Sequence, residues 1–409
     1  METTHPLTSP RRARPPYAAR LMFKLLGKLR GGSLTVHGPA GYAETFGERD
    51  SGPHVRITLK DWSVIGRAAA SGDIGFAETY FEGRWNTDNL PGLIEMFCVN
   101  RAALEQAMYG SRLGGLFYRI KHLLNANTRR GSRKNISAHY DLGNAFYQLW
   151  LDPSMTYSSA LFGGDYSLPL EAAQQSKYRR VLEQLRALPG QRILELGCGW
   201  GGFAELAARE YGVHVTGLTL STEQLAYAQE RMRQAGLAEL ADLRLMDYRE
   251  LDGQFDHVVS IEMFEAVGEA YWDGYFACVK RNLKPGGRAV IQSITIDEEV
   301  FPRYRKSTDF IQQYVFPGGM LPSPTEFLRR AAQAGLQFEI GVRFGRDYAE
   351  TLRRWRVAFL ETLPAARAQG FDERFIRLWE FYLAYCEGAF AAGSTDVIHF
   401  DLAQAPAGG

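Results

Sequence analysis

Glu195-Leu-Gly-Cys-Gly-Trp-Gly-Gly202 is the stretch of this chain that decides its fold. It closes the apolar run Arg192–Leu196 and leads into Phe203–Tyr211, which has a helical pattern. Glycine suits such a junction because it lets the backbone turn sharply and lets a ligand come close to it. A glycine-rich turn between a strand and a helix therefore predicts a cofactor site at this point of the chain.

The residues after this turn alternate between apolar strands and amphipathic helices. This β-α-β-α-β order predicts an α/β fold, in which a mostly parallel sheet carries helices on both faces. The predicted strands are Val213–Leu220, Leu240–Met246, Phe255–Ile261 and Arg288–Ile294, and the predicted helices are Thr222–Ala235 and Tyr271–Leu283.

Two features of the glycine turn favour one class of nucleotide-binding sheet. Glu195 precedes the GxGxG pattern, which is typical of the class I methyltransferase (Rossmann-like) sheet. The next strand ends in Gly217-Leu-Thr-Leu-Ser221 and lacks the carboxylate that binds the ribose of NAD. The sequence therefore predicts a class I methyltransferase domain in which Glu195, Gly197 and Gly199 lie at the site for S-adenosylmethionine (SAM).

Polar residues after the next two strands are candidates to bind the same cofactor. Thr219 and Gln224 offer a hydroxyl and an amide, but both stand where a helix begins, so a role at the helix start is the alternative. Asp247 ends the third strand, where such folds commonly place a carboxylate that accepts the adenine amino group.

The chain has 409 residues, a length typical of two domains. Residues 1–16 are rich in Pro, Arg and Thr and are predicted to form a disordered tail. A smaller N-terminal α+β domain, with a lipid-binding or accessory role, is expected over residues 17–110. A basic linker over residues 111–135 then leads to the methyltransferase domain, residues 136–409.

Composition argues against several classes of function. The formal net charge of +1 gives no reason to expect nucleic-acid binding. The four cysteines are far apart and include no CxxC pair, which predicts no zinc or other metal site and no disulfide framework, and fits the cytoplasm. The N-terminus lacks the apolar region of a secretory signal, and no run of about 18 apolar residues predicts a membrane span.

Two segments are basic and contain no acidic residue. Arg11–Arg30 and Gln106–Tyr140 each hold seven Arg or Lys residues. Such segments predict peripheral binding to an anionic membrane surface, here the inner face of the membrane, although a solvated basic face is the alternative.

Seven motifs follow one another between Ser137 and the C-terminus. They are His139-Tyr-Asp-Leu-Gly-Asn144, Leu151-Asp-Pro-Ser-Met-Thr-Tyr-Ser158, Leu194-Glu-Leu-Gly-Cys-Gly-Trp-Gly201, Gly217-Leu-Thr-Leu-Ser221, Ser260-Ile-Glu-Met-Phe-Glu265, Tyr314-Val-Phe-Pro-Gly-Gly319 and Phe344-Gly-Arg-Asp-Tyr348. Together they resemble the cyclopropane fatty acid synthase family in its two-domain, bacterial form. Members of that family add the SAM methyl carbon to the cis double bond of an unsaturated acyl chain, generally on intact phospholipid, and close a cyclopropane ring. The larger members form homodimers.

The resemblance also implies the residues of two sites. The SAM site maps onto Tyr157, Ser158, Gly197, Thr219, Gln224, Asp247 and Tyr248. A bicarbonate ion, which serves family members as the base, maps onto Ser159, Glu265, Gln292, Ile294 and Tyr348. The chain departs from the family at Ser159, where Cys is typical, and at Gln292, where His is typical. Both departures weaken the case for bicarbonate.

Glu262 is a third departure, because many members have glycine there. Glu262 and Glu265 lie three residues apart after a buried strand and could face one site. Two neighbouring carboxylates raise the pKa of one of them, so a protein carboxylate is the alternative to bicarbonate as the base. The base decides the product, since a proton taken from the transferred methyl gives a cyclopropane and one taken from the adjacent chain carbon gives a branched olefin.

Methylation of an alkene leaves a positive charge on the acyl chain, which aromatic faces stabilise. For each aromatic candidate, packing in the core is the alternative role. The candidates are Trp200, Phe264, Tyr271, Tyr314 and Phe316.

The sequence thus predicts a SAM-dependent C-methyltransferase that forms a cyclopropane on the cis-unsaturated acyl chains of membrane phospholipids. A methyl- or methylene-branched product on the same substrate is the first alternative. The others are a methyltransferase for a soluble small molecule and a catalytically inactive protein that binds lipid surfaces. The expected partners are phospholipids, an anionic membrane surface and a second copy of the chain in a homodimer, with no nucleic acid.

Overall fold

A computed structural model describes residues 14–102, 104 and 142–404. They form two compact units, one within residues 1–114 and the other within residues 115–409. Of the predicted tail only residues 14–16 are described, and the predicted basic linker over residues 111–135 lies outside the described residues, as does His139. The domain boundaries drawn from the sequence stay a prediction.

The first unit is a small α+β structure, as the sequence predicts. Its mixed sheet has the strand order β2-β1-β3-β4, with β1 parallel to β3 and the other pairs antiparallel. The strands are β1 (Ser33–Gly38), β2 (Tyr42–Gly47), β3 (His54–Leu59) and β4 (Trp85–Thr87), and the helices are α1 (Tyr17–Leu26), α2 (Ser63–Phe81) and α3 (Leu90–Val99).

Helix α1 packs its apolar face on the sheet of its own unit. The Phe23 ring lies 5.4 Å from that of Tyr42, 5.2 Å from that of Phe46 and 6.1 Å from that of Trp62, measured between ring centroids. Aromatic contacts at these distances stabilise the unit beyond the burial of apolar area.

A second face of α1 and of the turn after it is exposed. Tyr17 and Leu21 are 75% and 55% exposed, and Arg20, Lys24 and Lys28 are exposed beside them in the sequence. Positions 17, 21, 24 and 28 recur every three or four residues, so they share one side of a helical path. We call Tyr17, Arg20, Leu21, Lys24 and Lys28 the α1 face.

The second unit contains a seven-stranded sheet with the order β10-β11-β9-β8-β5-β6-β7. The five strands from β9 to β7 are parallel, and β11 runs antiparallel to both of its neighbours. This mostly parallel sheet confirms the predicted fold class. The strands are β5 (Arg192–Leu196), β6 (His214–Thr219), β7 (Ala241–Leu245), β8 (Phe255–Ile261), β9 (Leu283–Ile296), β10 (Gln337–Arg343) and β11 (Thr395–Ala403).

Successive residues of the central strands enter two separate cores. Leu194 and Val258 belong to one hydrophobic cluster, whereas their neighbours Ile193 and Val259 belong to another. Side chains alternate between the faces of a sheet, so each face is covered by helices and the strands are apolar throughout. The helices are α4 (Asn144–Tyr147), α5 (Leu170–Leu185), α6 (Gly202–Tyr211), α7 (Thr222–Gln234), α8 (Trp272–Asn282), α9 (Phe301–Tyr304), α10 (Phe310–Tyr314), α11 (Pro324–Gln333), α12 (Gly345–Glu361), α13 (Leu363–Ala368) and α14 (Glu373–Ala391).

The carboxyl ends of parallel strands meet at one edge of the sheet, where α/β proteins bind their ligands. Glu195, Thr219, Asp247 and Glu262 all stand at or just after the carboxyl ends of β5 to β8. The topology therefore gathers the predicted cofactor residues and the first of the paired carboxylates at one edge. Within the described residues, no helix is both long enough and apolar enough to span a bilayer.

Candidate active site

The glycine turn after β5 has the backbone that its sequence predicts. Gly197, Gly199 and Gly201 have φ values of +83°, +51° and +81°, a region that glycine adopts without steric cost. The amides of Gly197 and Cys198 donate to the Leu218 carbonyl at 3.0 and 2.8 Å, which joins the turn to β6. A Cβ atom on Gly199 would meet no other atom within 4 Å, so the turn borders open space there.

Thr219 and Gln224 are hydrogen-bonded to each other at the end of β6. The Thr219 hydroxyl donates to Gln224 Oε1 at 2.9 Å and accepts from the Ser221 amide at 3.1 Å. Ser221 caps the start of α7, because its hydroxyl accepts from the backbone N–H of Gln224 at 3.2 Å. The buried Thr219–Gln224 pair is therefore fixed beside the helix start.

Asp247 and Tyr248 follow β7. The buried Asp247 carboxylate accepts from the Arg249 amide at 3.0 Å and from the Arg249 guanidinium at 2.8 and 2.5 Å. The Tyr248 ring lies 5.8 Å from that of Tyr275, and burial raises the pKa of Tyr248.

Lys177 on α5 is fully buried next to the predicted cofactor residues. Its ammonium donates to Ser158 Oγ at 2.6 Å and to Gln174 Oε1 at 2.7 Å. Burial lowers the pKa of Lys177, and three nearby carboxylates raise it. They belong to Glu262, Asp152 and Glu195.

The sequence analysis missed Lys177, although a signal was present. Ala173, Lys177, Val181 and Leu185 recur every four residues along α5 and are all buried. A lysine on the apolar stripe of a helix is unusual, since lysine is almost never fully buried unless it is paired. That position alone marked it as a candidate for an internal ion pair.

Glu195 lies at the end of β5 with one carboxylate oxygen, Oε2, buried and without a hydrogen-bond partner among the described residues. Burial raises the pKa of Glu195 to about 8, against the opposing effect of Lys177. Nearby, the Tyr157 hydroxyl shares a hydrogen bond of 2.6 Å with that of Tyr382. The open turn at Gly199, the unpartnered Glu195 oxygen and the Asp247 carboxylate together fit the amine, hydroxyl and amino donors of SAM.

The Glu262 carboxylate is held by three donors from three separate segments. Its Oε1 accepts from the Ser159 amide at 2.8 Å and from Gln292 Nε2 at 2.7 Å, and its Oε2 accepts from the Tyr348 hydroxyl at 2.8 Å. Burial raises the pKa of Glu262, while Lys177 and the three hydrogen bonds lower it. The hydrogen bonds and the nearby ammonium stabilise the ionised form.

Glu265 lies three residues further on and is bonded differently. Its Oε1 accepts from the Ile294 amide and from Ser293 Oγ, the latter at 3.1 Å. Its Oε2 is buried without a partner among the described residues. Burial, and then the charge of Glu262, raise the pKa of Glu265 to about 8. Burial raises the pKa of both carboxyl groups, but Glu262 has donors on both oxygens and Lys177 nearby, whereas one Glu265 oxygen has no partner among the described residues. Differences of this kind between two neighbouring carboxyl groups divide acid and base roles in enzymes.

The carboxylate pair touches the cofactor turn. A Cβ atom on Gly197 would lie 3.0 and 3.1 Å from side-chain atoms of Met263, which stands between the two glutamates. The segment that carries Glu262 and Glu265 therefore packs directly against the glycine turn.

Bicarbonate does not fit the residues present. The resemblance assigns it to Ser159, Gln292 and Tyr348, together with Glu265 and Ile294. The Glu262 carboxylate takes the bonds of the first three, and Glu265 takes the Ile294 amide. The Ser159 hydroxyl donates to the Ala160 carbonyl at 3.0 Å, so Ser159 reaches Glu262 through its backbone only.

Gln292 is part of a buried chain of hydrogen bonds that the sequence analysis did not find. Its Oε1 lies 2.9 Å from His399 Nε2, and His399 Nδ1 lies 2.8 Å from Gln184 Oε1. Gln184 in turn donates to Asp401 at 2.8 Å. Burial lowers the pKa of His399 to about 3, so the neutral ring donates to one of the two amides at a time. This chain orients the Gln292 amide toward Glu262.

Helix α12 positions Tyr348 and also holds the loop that follows Ser158. Asp347 Oδ2 accepts from the amides of Phe162 and Gly163 at 2.7 and 3.0 Å, and the Thr351 hydroxyl accepts from the Ala160 amide at 3.1 Å. The motif that carries Tyr348 therefore also holds this loop in place, a role that the sequence analysis did not predict.

One aromatic candidate for contact with a cation is a core residue. Phe264 is fully buried and packs on Trp272, Tyr275, Phe276 and Phe327. It therefore has the alternative role, core packing, and the prediction of contact with the substrate is wrong for this residue.

Comparison with known proteins identifies relatives over most of the chain. Residues 127–400 match the family model described as mycolic acid cyclopropane synthetase. The chain is 37% identical over 344 residues to tuberculostearic acid methyltransferase UfaA1 of Mycobacterium tuberculosis, covering 82% of this chain and 80% of that protein. It is 38% identical over 341 residues to cyclopropane-fatty-acyl-phospholipid synthase of Escherichia coli, covering 82% and 84%. Mycolic acid cyclopropane synthase CmaA1, solved with SAH and CTAB, superimposes with a TM-score of 0.62 at 32% identity, over 66% of this chain and 98% of that one.

Replacing Gly199 by Ala is expected to weaken the binding of SAH by about tenfold or more, or about 1.4 kcal/mol. The added methyl group would occupy the open space beside the turn. Gly286→Ala is the matched control, because Gly286 also has a positive φ, +76°, and open space around its Cβ position. Both variants should lose about 1–2 kcal/mol of stability from the same backbone strain. Equal SAH affinities of the two variants, measured by titration calorimetry, would contradict this placement of the cofactor.

Replacing Glu265 by Gln is expected to change how stability depends on pH. With its pKa raised from 4.5 to about 8, folded Glu265 keeps a proton that the unfolded chain has lost between those values. Wild-type stability therefore falls as pH rises through this window. Relative to wild type, the variant should gain up to about 1.4 kcal/mol per pH unit in free energy of unfolding between pH 5 and 8.

Urea denaturation at several pH values measures this difference. Glu299→Gln, at an exposed position, serves as the control and should run parallel to wild type. A Glu265→Gln curve parallel to wild type would show that Glu265 is ionised in the folded protein.

Proposed function

This chain belongs to the mycolic acid cyclopropane synthetase family and is a SAM-dependent methyltransferase, and from that premise we propose that it methylates the cis double bond of unsaturated phospholipid acyl chains and closes a cyclopropane ring. The observation that carries the proposal is the Glu262–Glu265 pair, packed through Met263 on the glycine turn. The packing supports roles for this pair as base and uncharged acid beside the proposed cofactor site.

SAM, when bound, supplies an electrophilic methyl group. The roles proposed for the protein residues are to bind it, align the alkene with it and remove water. The glycine-turn motif, the resemblance and the geometry together support one set of residues for cofactor binding. These residues are Tyr157, Ser158, Glu195, Gly197, Gly199, Thr219, Gln224, Asp247 and Tyr248, with Lys177 added by the geometry.

An alkene is a weak nucleophile, so its alignment with the methyl group supplies much of the catalysis. The cation that results needs a dry surrounding with negative charge or aromatic faces nearby. Tyr348, which donates to Glu262, lies 4.5 Å from Phe390 and 6.0 Å from Trp355 by ring centroids. We assign the stabilisation and deprotonation of the cation to Glu262, Glu265 and Tyr348, with Ser159, Gln292 and Ile294 as the groups that hold the two carboxylates.

A branched acyl chain is the second candidate product. The observation that favours it is the presence of the Glu262 carboxylate where the resemblance places a bicarbonate ion. A different base can reach a different proton of the cation. Proton loss from the neighbouring chain carbon in place of the transferred methyl would leave a methyl-branched olefin.

The substrate lies in a bilayer, so the protein must act at the membrane surface. The α1 face presents three basic and two large apolar side chains to solvent. Such a surface binds anionic lipid by charge and by partial insertion of its apolar groups. We propose that the first unit is the accessory, lipid-binding domain, that the basic segment before residue 136 assists it, and that the protein is peripheral at the inner face of the membrane and dimeric.

Incubation with SAM and vesicles of a cis-monounsaturated phospholipid is expected to add one CH2 unit to the acyl chains. The released chains are analysed by mass spectrometry before and after mild hydrogenation. A product that takes up no hydrogen is a cyclopropane, and one that takes up hydrogen is a branched olefin. Unchanged chains, with turnover of SAM on a soluble acceptor instead, would contradict the proposal.

Replacing Lys24 by Glu is expected to weaken binding to anionic vesicles by about fivefold or more. Each basic residue near an anionic surface contributes about 1 kcal/mol, and this contribution decreases with salt. Lys60→Glu makes the same charge change at an exposed residue off the α1 face and should have a smaller effect. Co-sedimentation that is the same for both variants, or indifferent to salt, would exclude the α1 face as the membrane contact.

A further inference from the structure

The groups around Glu262 form an anion-binding site, and the Glu262 carboxylate itself occupies that site. The donors to it come from the loop after Ser158, from β9 and from α12, which are far apart in the sequence. Two are uncharged side chains and one is a backbone amide. Charge-assisted hydrogen bonds of this kind are roughly twice as strong as neutral ones. Nothing else in the described part of the chain holds a carboxylate by three such contacts beside the glycine turn.

Glu262 keeps this position in a backbone conformation that suits glycine. Its φ is +52°, in the left-handed region that residues with a Cβ atom rarely adopt. Strained residues of this kind persist when the surrounding structure fixes them, and they cluster at active sites. This backbone conformation directs the Glu262 side chain toward Ser159, Gln292 and Tyr348. The three hydrogen bonds to those residues offset the cost of the strained backbone.

Lys177 and three donors oppose the rise that burial causes in the pKa of Glu262. The Lys177 ammonium attracts its carboxylate, and Tyr348 faces it as a donor. Glu265, three residues further on, has its pKa raised to about 8 and is uncharged at neutral pH. On the far side of Gln292, the buried His399 ring is neutral. Both Glu262 oxygens face donors, whereas Glu265 Oε2 has no partner among the described residues, so Glu262 is the carboxylate of the pair that is held in position to accept a proton.

We propose that Glu262 is the resident general base of this enzyme and that the reaction needs no bicarbonate or other external anion. The proposal rests on the proposed function and names the group that completes it. Gln292 and Ser159, which differ from the family pattern, serve here to hold a protein carboxylate in place of a free ion.

The step that Glu262 performs is the loss of one proton from the methylated cation. A C–H bond of the cation breaks, and its electron pair forms the third ring bond of a cyclopropane or the double bond of a branched olefin. The proton passes to a Glu262 oxygen, which becomes a neutral carboxylic acid. The product is uncharged, and Glu262 returns to its ionised form by losing the proton to water. No oxidant, reductant or further reactant is needed.

Two variants separate the loss of the carboxylate from damage to the site. Glu262→Gly removes the side chain, leaves the three donors free, and suits the positive φ. Glu262→Gln fills the same space but directs an amide nitrogen toward donors. Glu299→Gln, at an exposed position, is the control for an unrelated loss of charge. Each is assayed with SAM and unsaturated phospholipid vesicles in buffer freed of carbon dioxide, with and without millimolar bicarbonate or acetate.

Wild type and Glu299→Gln are expected to be equally active with and without bicarbonate. Both Glu262 variants should lose about 100-fold or more, the usual contribution of a general base. Bicarbonate or acetate should restore at least about tenfold to Glu262→Gly and nothing to Glu262→Gln. A wild-type rate that requires bicarbonate, or a Glu262→Gly rate equal to wild type without it, would overturn the proposal.

A measurement without turnover tests the same site. Millimolar bicarbonate should raise the melting temperature of Glu262→Gly, whose donors are free, and leave that of wild type and Glu262→Gln unchanged. Stabilisation of wild type by bicarbonate would show that the ion has a site of its own and would overturn the proposal. If wild type makes no methylated lipid in any buffer, the proposed function itself fails, a result distinct from dependence on bicarbonate.

Discussion

The burial of one ammonium among several carboxylates is the constraint on which the catalytic end of the sheet depends. Lys177 is enclosed near Asp152, Glu195 and Glu262, and charges removed from water are stable only when they are paired and hydrogen-bonded. One positive charge cannot balance every acid nearby. Burial is the main cause of the raised pKa values of Glu195 and Glu265; Lys177 opposes the rise at Glu195, and the charge of Glu262 adds to it at Glu265. Glu262 and Glu265 therefore differ in the groups that face them, which are a cation and three donors at Glu262 and a neighbouring carboxylate at Glu265.

The secondary-structure elements that are set by residues close together in the sequence could be predicted from the sequence. The glycine turn, the strands β5 to β8 and the helices after β5, β6 and β8 are local patterns, and their predicted bounds agree with the structure to within about two residues. Strands β2, β4, β10 and β11 were not predicted, because they are short or exposed or lie beyond the last clear alternation. The candidate site was recoverable where a motif carried it. Lys177 left a local signal in the apolar stripe of α5, but its partners did not, and His399 and Gln184 left none, since their contacts are set by the pairing of β11 with β9 and by the packing of α5.

The departures from the family pattern at Gln292 and Glu262 have a physical explanation only when the two residues are considered together. Gln292 by itself looks like the loss of a charged ligand, and Glu262 by itself looks like a bulky residue in a position for glycine. In the structure the amide of Gln292 donates to Glu262 and is oriented from behind by His399. Gln292 thus bridges His399 and Glu262 without carrying a charge. The two substitutions are therefore one change in the chemistry of the site.

The site also spans a long stretch of chain. Ser159, Ala160 and Phe162 are fixed by Glu262, Thr351 and Asp347 respectively, and the amide of Gln292 is oriented by His399, which lies on β11. That last strand sits inside the sheet, between β10 and β9. Strand β10, which precedes β11 in the chain, can join the sheet only after β11 has paired with β9. The edge of the sheet and the support of Gln292 are therefore completed in the same folding step.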